Sequence, residues 1–375
     1  MKFLIKRDLL DMTLQNVSKG LSTKTPMPVL TGIQITANSK ELIFVTTNKE
    51  ISIKIVLPID ENVQVLEEGV CVVPGKYFVD IVKKIEGNVI DFTVFDETTI
   101  KIICDKTDFT LIALDKTNYP VVNFDLNDKP IMIPCKELKK IIKQTTFACS
   151  NSENRVILTS VNFALNGNKL NVLATDSFRL SLKTVNIPDN DQSFIMNIPS
   201  KSLEELSKIL IDSDQAVSIY VSNNKVIFKN NNLLFATRLV EGKYPASTNF
   251  FPKQYLFTLK LNRADVISAV DRASLFTDLE NLSHVKLTVS SSKDTIEIAS
   301  TSTEIGRVVE SLKPIEISEK LDFQVAFSAK FLLDALKAFD SDNVVLCFTG
   351  EIKPAIIKSD KNDDLIQLLL PMRVF

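Results

Sequence analysis

The sequence predicts an α+β protein built from three copies of one unit, each with two helices packed on antiparallel sheets. Six segments place apolar residues three and four positions apart, which is typical of amphipathic helices, and these segments recur every 60 to 69 residues. Between them, short runs alternate apolar and polar residues, which is typical of half-buried strands. Two helix-and-strand segments span about 125 residues, so three pairs account for the chain.

The individual elements follow this repeat in order. The predicted helices begin near Arg7, Lys76, Lys136, Lys201, Arg263 and Lys330. Short alternating strands are predicted after each helix, three or four of them after the second, fourth and sixth helices, and polar turn clusters such as residues 166–168 and 222–224 separate the strands. An alternating sheet must cover its apolar face, and two helices per unit can do so. We therefore predict domains at residues 1–127, 128–254 and 255–375.

The composition excludes several kinds of site. Charged residues make up 24% and hydrophobic residues 45% of the chain, with a formal net charge of −2, so a chain-wide basic character is absent. The single histidine, His284, rules out a metal site made of several histidines. None of the nine glycines forms a phosphate-binding motif. We predict neither a metal nor a cofactor.

Cysteine usage and the N-terminus indicate where the protein acts. Five cysteines are widely spaced and form no CxxC motif, which favours reduced, buried thiols; they are Cys71, Cys104, Cys135, Cys149 and Cys347. Charges in the opening MKFLIKRDLL interrupt any signal-peptide core. No run of residues reaches the 18 apolar positions of a membrane span. We expect a cytoplasmic protein without a membrane partner.

The predicted helices carry an unexpected charge at their N-termini. Each begins at or beside a lysine or arginine, where the helix dipole makes a cation unfavourable by about 0.3–1 kcal/mol. The six segments contain 15 basic and 9 acidic residues. A general preference of helix surfaces for lysine could produce this, but its recurrence favours an external polyanion such as a nucleic-acid backbone. The strand phenylalanines are predicted to be core residues, so contact would be to phosphates; they are Phe44, Phe92, Phe163, Phe228 and Phe348.

Several motifs resemble the bacterial DNA polymerase III beta subunit family, the sliding clamps. They are the opening MKFLIKRDLL, Pro-Met-Pro-Val-Leu at 26–30, ATDSFRL at 174–180, EGKYP at 241–245 and the terminal LLLPMRVF. The similarity covers the whole length and follows the three-domain repeat. ATDxxRL and the terminal PMR are the more specific features.

The resemblance implies a fold and a function. Sliding clamps are head-to-tail homodimers whose six domains close into a ring around double-stranded DNA, so that the polymerase stays tethered during processive synthesis. The implied partners are the DNA polymerase III alpha subunit, the delta subunit of the ATP-dependent clamp loader, and other clamp-binding polymerases and repair factors. No catalytic activity of the chain itself is implied.

A pocket between the second and third domains is implied to bind short linear motifs of these partners. Leu, Met and Pro would form an apolar slot, and Arg179 and Arg373 its polar rim. Carried onto this sequence, the pocket comprises Leu158, Thr175, Ser177, Phe178, Arg179, Leu180, Pro245, Asn249, Phe250, Pro354, Leu369, Leu370, Pro371, Met372 and Arg373. Asn249 stands where the family often has arginine, and the tail ends in Val374-Phe375, so peptide preference is expected to differ. Without the resemblance, ATDSFRL indicates only a strand and a turn.

Two further surfaces are implied. DNA contact would involve the loop after the first helix and inner helix positions, namely Lys24, Lys76, Lys83, Lys84, Ser152 and Lys201. Each of these is equally explained as a solvated side chain. The dimer contact would pair a strand carrying Phe109 and Leu111 with Leu275 and Phe276 of the partner subunit, joining two edge strands.

Two alternatives stay open. A metal-dependent nuclease would use carboxylates such as Asp105, Asp108, Asp115, Asp189, Asp191, Asp363 or Asp364, with His284 as a base. These acids fall in turn-like segments, where Asp is favoured for backbone reasons. The second alternative is an interaction scaffold that never encloses DNA.

Overall fold

The computed structural model describes the chain in seven stretches, namely residues 1–126, 129–188, 191–245, 251–252, 254–276, 284–302 and 306–372. These residues form two compact units, the first of residues 1–138 and 201–239 and the second of residues 139–200 and 240–375. The predicted boundary after residue 127 lies outside the described residues. Both boundaries stay a prediction.

All six predicted helices are confirmed. They are α1 Arg7–Val17, α2 Gly75–Lys84, α3 Cys135–Thr145, α4 Ser200–Ile209, α5 Arg263–Ser274 and α6 Ala329–Lys337. Each starts at the predicted basic residue or one position before it. Their buried residues recur at three and four positions, as Leu10, Leu14 and Val17 do in α1, so every helix presents one apolar stripe to a core.

The described residues contain 26 strands. They are β1 Lys2–Lys6, β2 Gly32–Ala37, β3 Glu41–Thr47, β4 Ile51–Pro58, β5 Val63–Glu67, β6 Gly69–Pro74, β7 Val89–Phe95, β8 Thr99–Cys104, β9 Thr107–Ile112, β10 Ile131–Pro134, β11 Ser160–Asn166, β12 Lys169–Thr175, β13 Arg179–Asn186, β14 Ser193–Pro199, β15 Ala216–Val221, β16 Lys225–Asn230, β17 Leu233–Arg238, β18 Phe257–Asn262, β19 His284–Val289, β20 Ile296–Ser302, β21 Gly306–Leu312, β22 Glu316–Ile317, β23 Phe323–Ser328, β24 Asn343–Phe348, β25 Ala355–Ser359 and β26 Leu365–Leu369. One strand precedes each helix and a three-strand meander comes after it. This pattern occurs six times, with β5 and β22 as additional strands. The sequence repeat predicts the helix and the strands after it, but not the strand before each helix.

In the first unit, one sheet joins the first two sequence repeats. Its strand order is β10-β15-β16-β17-β4-β3-β2-β6. The joining pair is β17 with β4, antiparallel, in a register that places Thr237 opposite Ile51. Both strands are the third of their meanders. Backbone hydrogen bonds therefore continue from one repeat into the next without an edge.

The second unit repeats this arrangement. A nine-stranded sheet has the order β14-β11-β12-β13-β26-β25-β24-β18-β22. Here β26 pairs antiparallel with β13, and Leu369 lies opposite Arg179. These are again the third strands of two meanders. We call the β17–β4 and β26–β13 pairs the first and second junctions.

Two shorter sheets leave a meander strand at an edge. The order β5-β1-β7-β8-β9 ends at β9, and the order β21-β20-β19-β23 ends at β21. Both are third strands of their meanders, after α2 and α5. Six third strands occur in the described residues. Four of them pair with one another at the two junctions, and β9 and β21 are the two that have no such partner.

The cores consist of aliphatic side chains around phenylalanine clusters. All five strand phenylalanines predicted to be core residues are buried. Phe257 and Phe348 stack with ring centroids 4.9 Å apart, and Phe3 and Phe92 stack at 4.6 Å. The five cysteines are also buried, and none forms a disulfide. No helix in the described part of the chain has the length and apolarity needed to cross a bilayer.

Candidate functional site

The ATDSFRL segment forms a tight turn that exposes a phenylalanine. It joins β12 to β13, and the Asp176 carboxylate accepts the backbone N–H groups of Phe178 and Arg179 at 2.9 and 3.0 Å. Ser177 adopts a positive φ of 81°, a conformation found mainly in turns for residues other than glycine. Phe178 consequently points away from the core and is 63% exposed.

The C-terminal strand brings the tail beside this turn. Beyond the Arg179–Leu369 pair, the Leu370 N–H donates to the Phe178 carbonyl at 2.9 Å. Leu370 is 38% exposed. On its other side β26 pairs with β25, where Ala355 lies opposite Leu369, so Pro354 falls in the same row. The strand register thus places Phe178, Leu370 and Pro354 in one row at the ends of β13, β26 and β25.

The remaining predicted pocket residues form the floor and flanks. Leu158, Thr175, Leu180 and Leu369 are buried, whereas Pro245, Pro354, Pro371 and Met372 are half-buried. The Met372 N–H donates to the Ala326 carbonyl at 2.8 Å, which fixes the tail to β23. Asn249, Phe250 and Arg373 lie outside the described residues. The exposed apolar side chains can bind an apolar anchor of a peptide.

Arg179 does not form an exposed rim, so that part of the expectation is wrong. Its side chain is 7% exposed and pairs with Asp176 at 2.9 Å and with Asp334 of α6 at 2.7 Å. The guanidinium also lies 4.2 Å from the centroid of the Phe331 ring. Two carboxylates and an aromatic face compensate for the burial of this cation. Arg179 therefore ties the turn to α6.

Sequence reasoning missed two supports of the turn. One is Asp334; the other is Tyr244, whose hydroxyl donates to the Ser160 carbonyl and accepts the Thr175 N–H, both at 3.1 Å. Burial raises the pKa of Tyr244, so the phenol stays neutral. Tyr244 belongs to the quoted EGKYP motif, which was the available signal. Nothing in the sequence around Asp334 marks it as a partner of Arg179.

The predicted DNA-contact residues are all exposed, on different elements. They are Lys24 in the loop after α1, Lys76, Lys83 and Lys84 on α2, Ser152 before β11, and Lys201 on α4. Phe78 and Val82 bury the opposite face of α2. The lysines of α2 are thus free to meet a polyanion.

The basic residues at the helix starts fall into two groups. Arg7 pairs with Asp8 at 3.1 Å, Lys136 pairs with Asp214 at 2.5 Å, and Arg263 donates to the Ser341 carbonyl at 2.7 Å. Lys76, Lys201 and Lys330 form no ion pair with another described residue, and all three are exposed. Local contacts therefore explain only part of the recurring charge.

The predicted dimer residues lie on the edge strand β9 and directly after helix α5. Phe109 and Leu111 are half-buried on β9, opposite the buried Ile102 and Ile100 of β8. Leu275 is 71% exposed just after α5, and Phe276 is half-buried. In the last turn of α5, Arg272 forms a bidentate ion pair with Glu310 of β21 at 2.7 and 2.9 Å. Strand β21 was not singled out by the sequence.

The carboxylates considered for a nuclease do not converge. Asp108 pairs with Lys101, Asp363 with Lys358 and Asp364 with the buried Lys183. Asp115 caps a short turn, Asp105 lies in a turn at positive φ, and Asp189 is outside the described residues. His284 begins β19 opposite Ser328. No cluster of three His, Cys, Asp or Glu side chains suited to a metal occurs in the described residues.

Comparison with known proteins gives one consistent family. Models of the N-terminal, central and C-terminal domains of the DNA polymerase III beta subunit match residues 1–123, 132–246 and 248–373. The chain is 38% identical to a beta sliding clamp of Staphylococcus epidermidis and 37% identical to one of Staphylococcus aureus, with full coverage of both chains in each case.

Solved structures agree with these matches. The crystal structure of the DNA polymerase sliding clamp from Bacillus subtilis superposes with a TM-score of 0.96 at 36% identity and full coverage of both chains. That of the DNA polymerase III beta chain from Streptococcus pneumoniae gives 0.95 at 28% identity, again over both full lengths. The chain therefore belongs to the DNA polymerase III beta subunit family, the beta sliding clamps.

Proposed function

We propose that two copies of this chain close into a ring around duplex DNA and tether the replicative polymerase to its template. One observation carries the proposal. Each chain closes two junctions between third meander strands, and the same rule leaves β9 and β21 as the unpaired equivalents. Pairing β9 of one copy with β21 of the next completes the series and removes both exposed edges.

The strand numbers support this closure. The sheets that end at β9 and β21 have five and four strands, so joining them gives nine, as many as the sheet at the second junction. Exposed apolar side chains flank the two edges, including Ile112 after Leu111 and Leu275 after α5. A head-to-tail contact made twice around an axis is a closed assembly. Three domains per chain then give a ring of six.

Contact with DNA would be electrostatic and independent of sequence. The exposed lysines of the loop at Lys24 and of α2 and α4 would face phosphates, with Ser152 as a neutral contact. Such contacts alone give weak, salt-sensitive binding, so retention must come from enclosure. As a processivity factor the chain would act in the bacterial cytoplasm without a catalytic activity of its own.

The surface around Phe178 and Leu370 would receive linear motifs of the partner proteins. We infer that these partners include the polymerase alpha subunit, the clamp-loader delta subunit, and other clamp-binding polymerases and repair factors. A short motif binds through a few buried side chains, and an exposed phenylalanine beside leucine and proline suits an apolar anchor. Because each partner would use the same surface, their binding would be mutually exclusive.

The test compares a circular with a linear template. The protein is loaded by its clamp loader and ATP on a nicked plasmid, and bound protein is measured after gel filtration in moderate salt. We expect stable retention on the circle and release when one restriction cut linearises it. Equal retention on both templates would favour the scaffold alternative.

A dimer-weakened variant provides the matched control. Leu275→Ala with Phe276→Ala removes apolar contacts from the proposed β21 side, and truncating a large buried side chain costs roughly 2–5 kcal/mol. The native protein should have twice the 42.0 kDa chain mass, and this variant should dissociate and leave the circle. An unchanged mass at submicromolar concentration would show that the interface lies elsewhere.

A further inference from the structure

The first junction holds a cleft that the sequence did not reveal. It has a volume of about 270 Å³. Its walls come from the turn between β3 and β4, the linker at residues 120–123, and strands β16 and β17. All of these belong to the first compact unit. The cleft is therefore separate from the surface around Phe178.

The β3–β4 turn has the same backbone construction as the turn of the second junction. Asn48 accepts the N–H groups of Glu50 and Ile51 at 3.0 and 2.7 Å, as Asp176 does for its own turn. Lys49 has a φ of 76°, close to that of Ser177. The Lys49 N–H donates to the Thr47 hydroxyl at 3.1 Å, which matches the Ser177–Thr175 contact at 3.1 Å.

The linker is repeated as well. Tyr119-Pro120 stands before the first junction as Tyr244-Pro245 does before the second. Tyr119 is buried and donates to the Val45 carbonyl at 3.0 Å. Two residues further on, Val121 is 99% exposed and lines the cleft. An aliphatic side chain presented in this way can contact a ligand without rearrangement.

The two junctions differ in the side chains that flank the turn and the end of the paired strand. The Arg238 N–H donates to the Glu50 carbonyl at 3.1 Å, in the place of the Leu370–Phe178 contact. Glu50 and Arg238 therefore replace the exposed Phe178 and Leu370. The same backbone arrangement displays charges at the first junction and apolar groups at the second.

Cations dominate the first cleft. Lys49, Lys225 and Arg238 line it against a single carboxylate, Glu50. None of the four forms an ion pair with another described residue, and the Lys225 amino group donates only to the Asn123 carbonyl, at 2.9 Å. Unpaired cations around a concave surface attract anionic groups. If this backbone arrangement binds an extended peptide segment, the positive charge of the cleft favours a segment that carries carboxylates.

We propose that the cleft of the first junction docks an extended acidic peptide segment of a partner protein, with carboxylates at Lys49 and Arg238 and a small aliphatic side chain at Val121. The inference rests on the proposed function because peptide binding at the second junction is part of that proposal. A partner that carries both an apolar motif and an acidic segment could then occupy both junctions. Binding at two linked sites raises the overall affinity.

The experiment is a fluorescence-polarisation titration of the full-length protein at low salt. The probe is a labelled Glu-Asp-Leu-Asp-Glu peptide, and Gln-Asn-Leu-Asn-Gln is its neutral counterpart. We expect only the acidic peptide to bind. Lys49→Glu with Arg238→Glu should weaken it at least about tenfold, because both attractive contacts become repulsive.

Three controls accompany this variant. Lys40→Glu reverses one charge on the exposed β2–β3 turn outside the cleft, where the double variant reverses two inside it, and should alter affinity by less than about twofold. Phe178→Ala should leave acidic-peptide binding unchanged. A Lys-Arg-Leu-Arg-Lys peptide should bind the charge-reversed variant better than the native protein, and an unchanged circular-dichroism spectrum would show that the variant is folded.

Each contrary result has its own meaning. If Phe178→Ala abolished binding of the acidic peptide, the peptide would bind at the second junction. That result would overturn the inference about the cleft but not the proposed function. Failure of the acidic peptide to bind the native protein would also overturn it, whereas failure of a Gln-Leu-x-Leu-Phe peptide would count against the proposed function. Displacement of the acidic peptide by a short oligonucleotide would assign the cleft to phosphates and overturn the peptide proposal.

Discussion

The two junctions of the chain share a backbone and differ in side chains. Both join the third strands of two meanders, place a positive-φ residue in an Asx-stabilised turn, and anchor the preceding linker with a buried tyrosine. Yet Phe178 and Leu370 at the second junction correspond to Glu50 and Arg238 at the first. The two junctions therefore share one backbone architecture but display side chains of different chemistry.

The junctions also differ beneath the turn. At the second, Arg179 is buried between Asp176 and Asp334, whereas the first has the buried apolar Ile51 in the corresponding strand position. A buried ion pair couples the turn to helix α6, and a buried isoleucine makes only non-directional contacts. The second junction should thus respond more strongly to the loss of one side chain.

The largest expected effect comes from making the second junction resemble the first at this position. Arg179→Ile leaves two carboxylates without their cation, and removing one partner of a buried ion pair costs about 3–5 kcal/mol. Ile51→Val is the control, with an expected cost of about 0.5–1.5 kcal/mol. Urea unfolding followed by circular dichroism measures both. Equal midpoints would show that the ion pair contributes nothing to stability.

A smaller effect is expected on peptide affinity. Phe178→Glu with Leu370→Arg copies the first junction onto the second, and loss of a central apolar contact should weaken a Gln-Leu-x-Leu-Phe peptide by about 2 kcal/mol, some thirtyfold. Isothermal titration calorimetry provides the measurement. Glu50→Ala should not change this affinity. If the double variant binds as tightly as the native protein, the motif site is not at the second junction.

Loss of the side chain that stabilises each turn, Asn48 or Asp176, should cost different amounts of stability. Asn48→Ala removes an acceptor of two backbone N–H groups, and each hydrogen bond contributes about 0.5–1.5 kcal/mol. Asp176→Ala removes the same contacts and one partner of Arg179 as well, so it should cost more. Amide hydrogen exchange at Glu50 and Phe178 would report the local opening. The opposite order of costs would contradict the role assigned to Arg179.

The smallest effect concerns pH at the linker of the first junction. Hydrogen bonds from the Thr117 side chain and backbone, and from Asn118, lower the pKa of Asp115 below its ordinary value. Because the pKa of Asp115 is lower in the folded than in the unfolded chain, the carboxylate stabilises the folded state at any pH above its unfolded-state pKa. This contribution is lost as the pH falls through the folded-state pKa. Asp115 lies four residues before Tyr119, and the corresponding position before Tyr244 is Val240, which does not titrate. Only the first linker should therefore respond to pH at this position.

Carboxyl NMR titration can check this prediction. The Asp115 midpoint should lie below the ordinary range, and Thr117→Val should move it upward because one donor is lost. Since Asp115 is exposed, unfolding midpoints should barely change. An Asp115 midpoint at the ordinary value in the native protein would refute the hydrogen-bonded turn.

The family resemblance pointed to the residues of the second junction but not to the burial of Arg179. The ATDSFRL and LLLPMR motifs could be quoted because each is local in sequence, and the structure places their residues Phe178 and Leu370 side by side. The resemblance misplaced Arg179, because nothing local shows that a guanidinium will meet Asp334, 155 residues away. The first junction escaped notice since VTTNKEIS and ATDSFRL share little beyond one threonine, although their turns have the same hydrogen bonds.

The sequence by itself determined the six helices, their basic starts, the threefold repeat and the strand phenylalanines of the core. These follow from periodicity, which acts over a few residues and is printed in the chain. Only the tertiary structure decided which meander strands pair, which remain as edges, and which charges are buried. Those outcomes depend on strands and side chains more than a hundred residues apart, as with Leu369 opposite Arg179, and no local pattern specifies them.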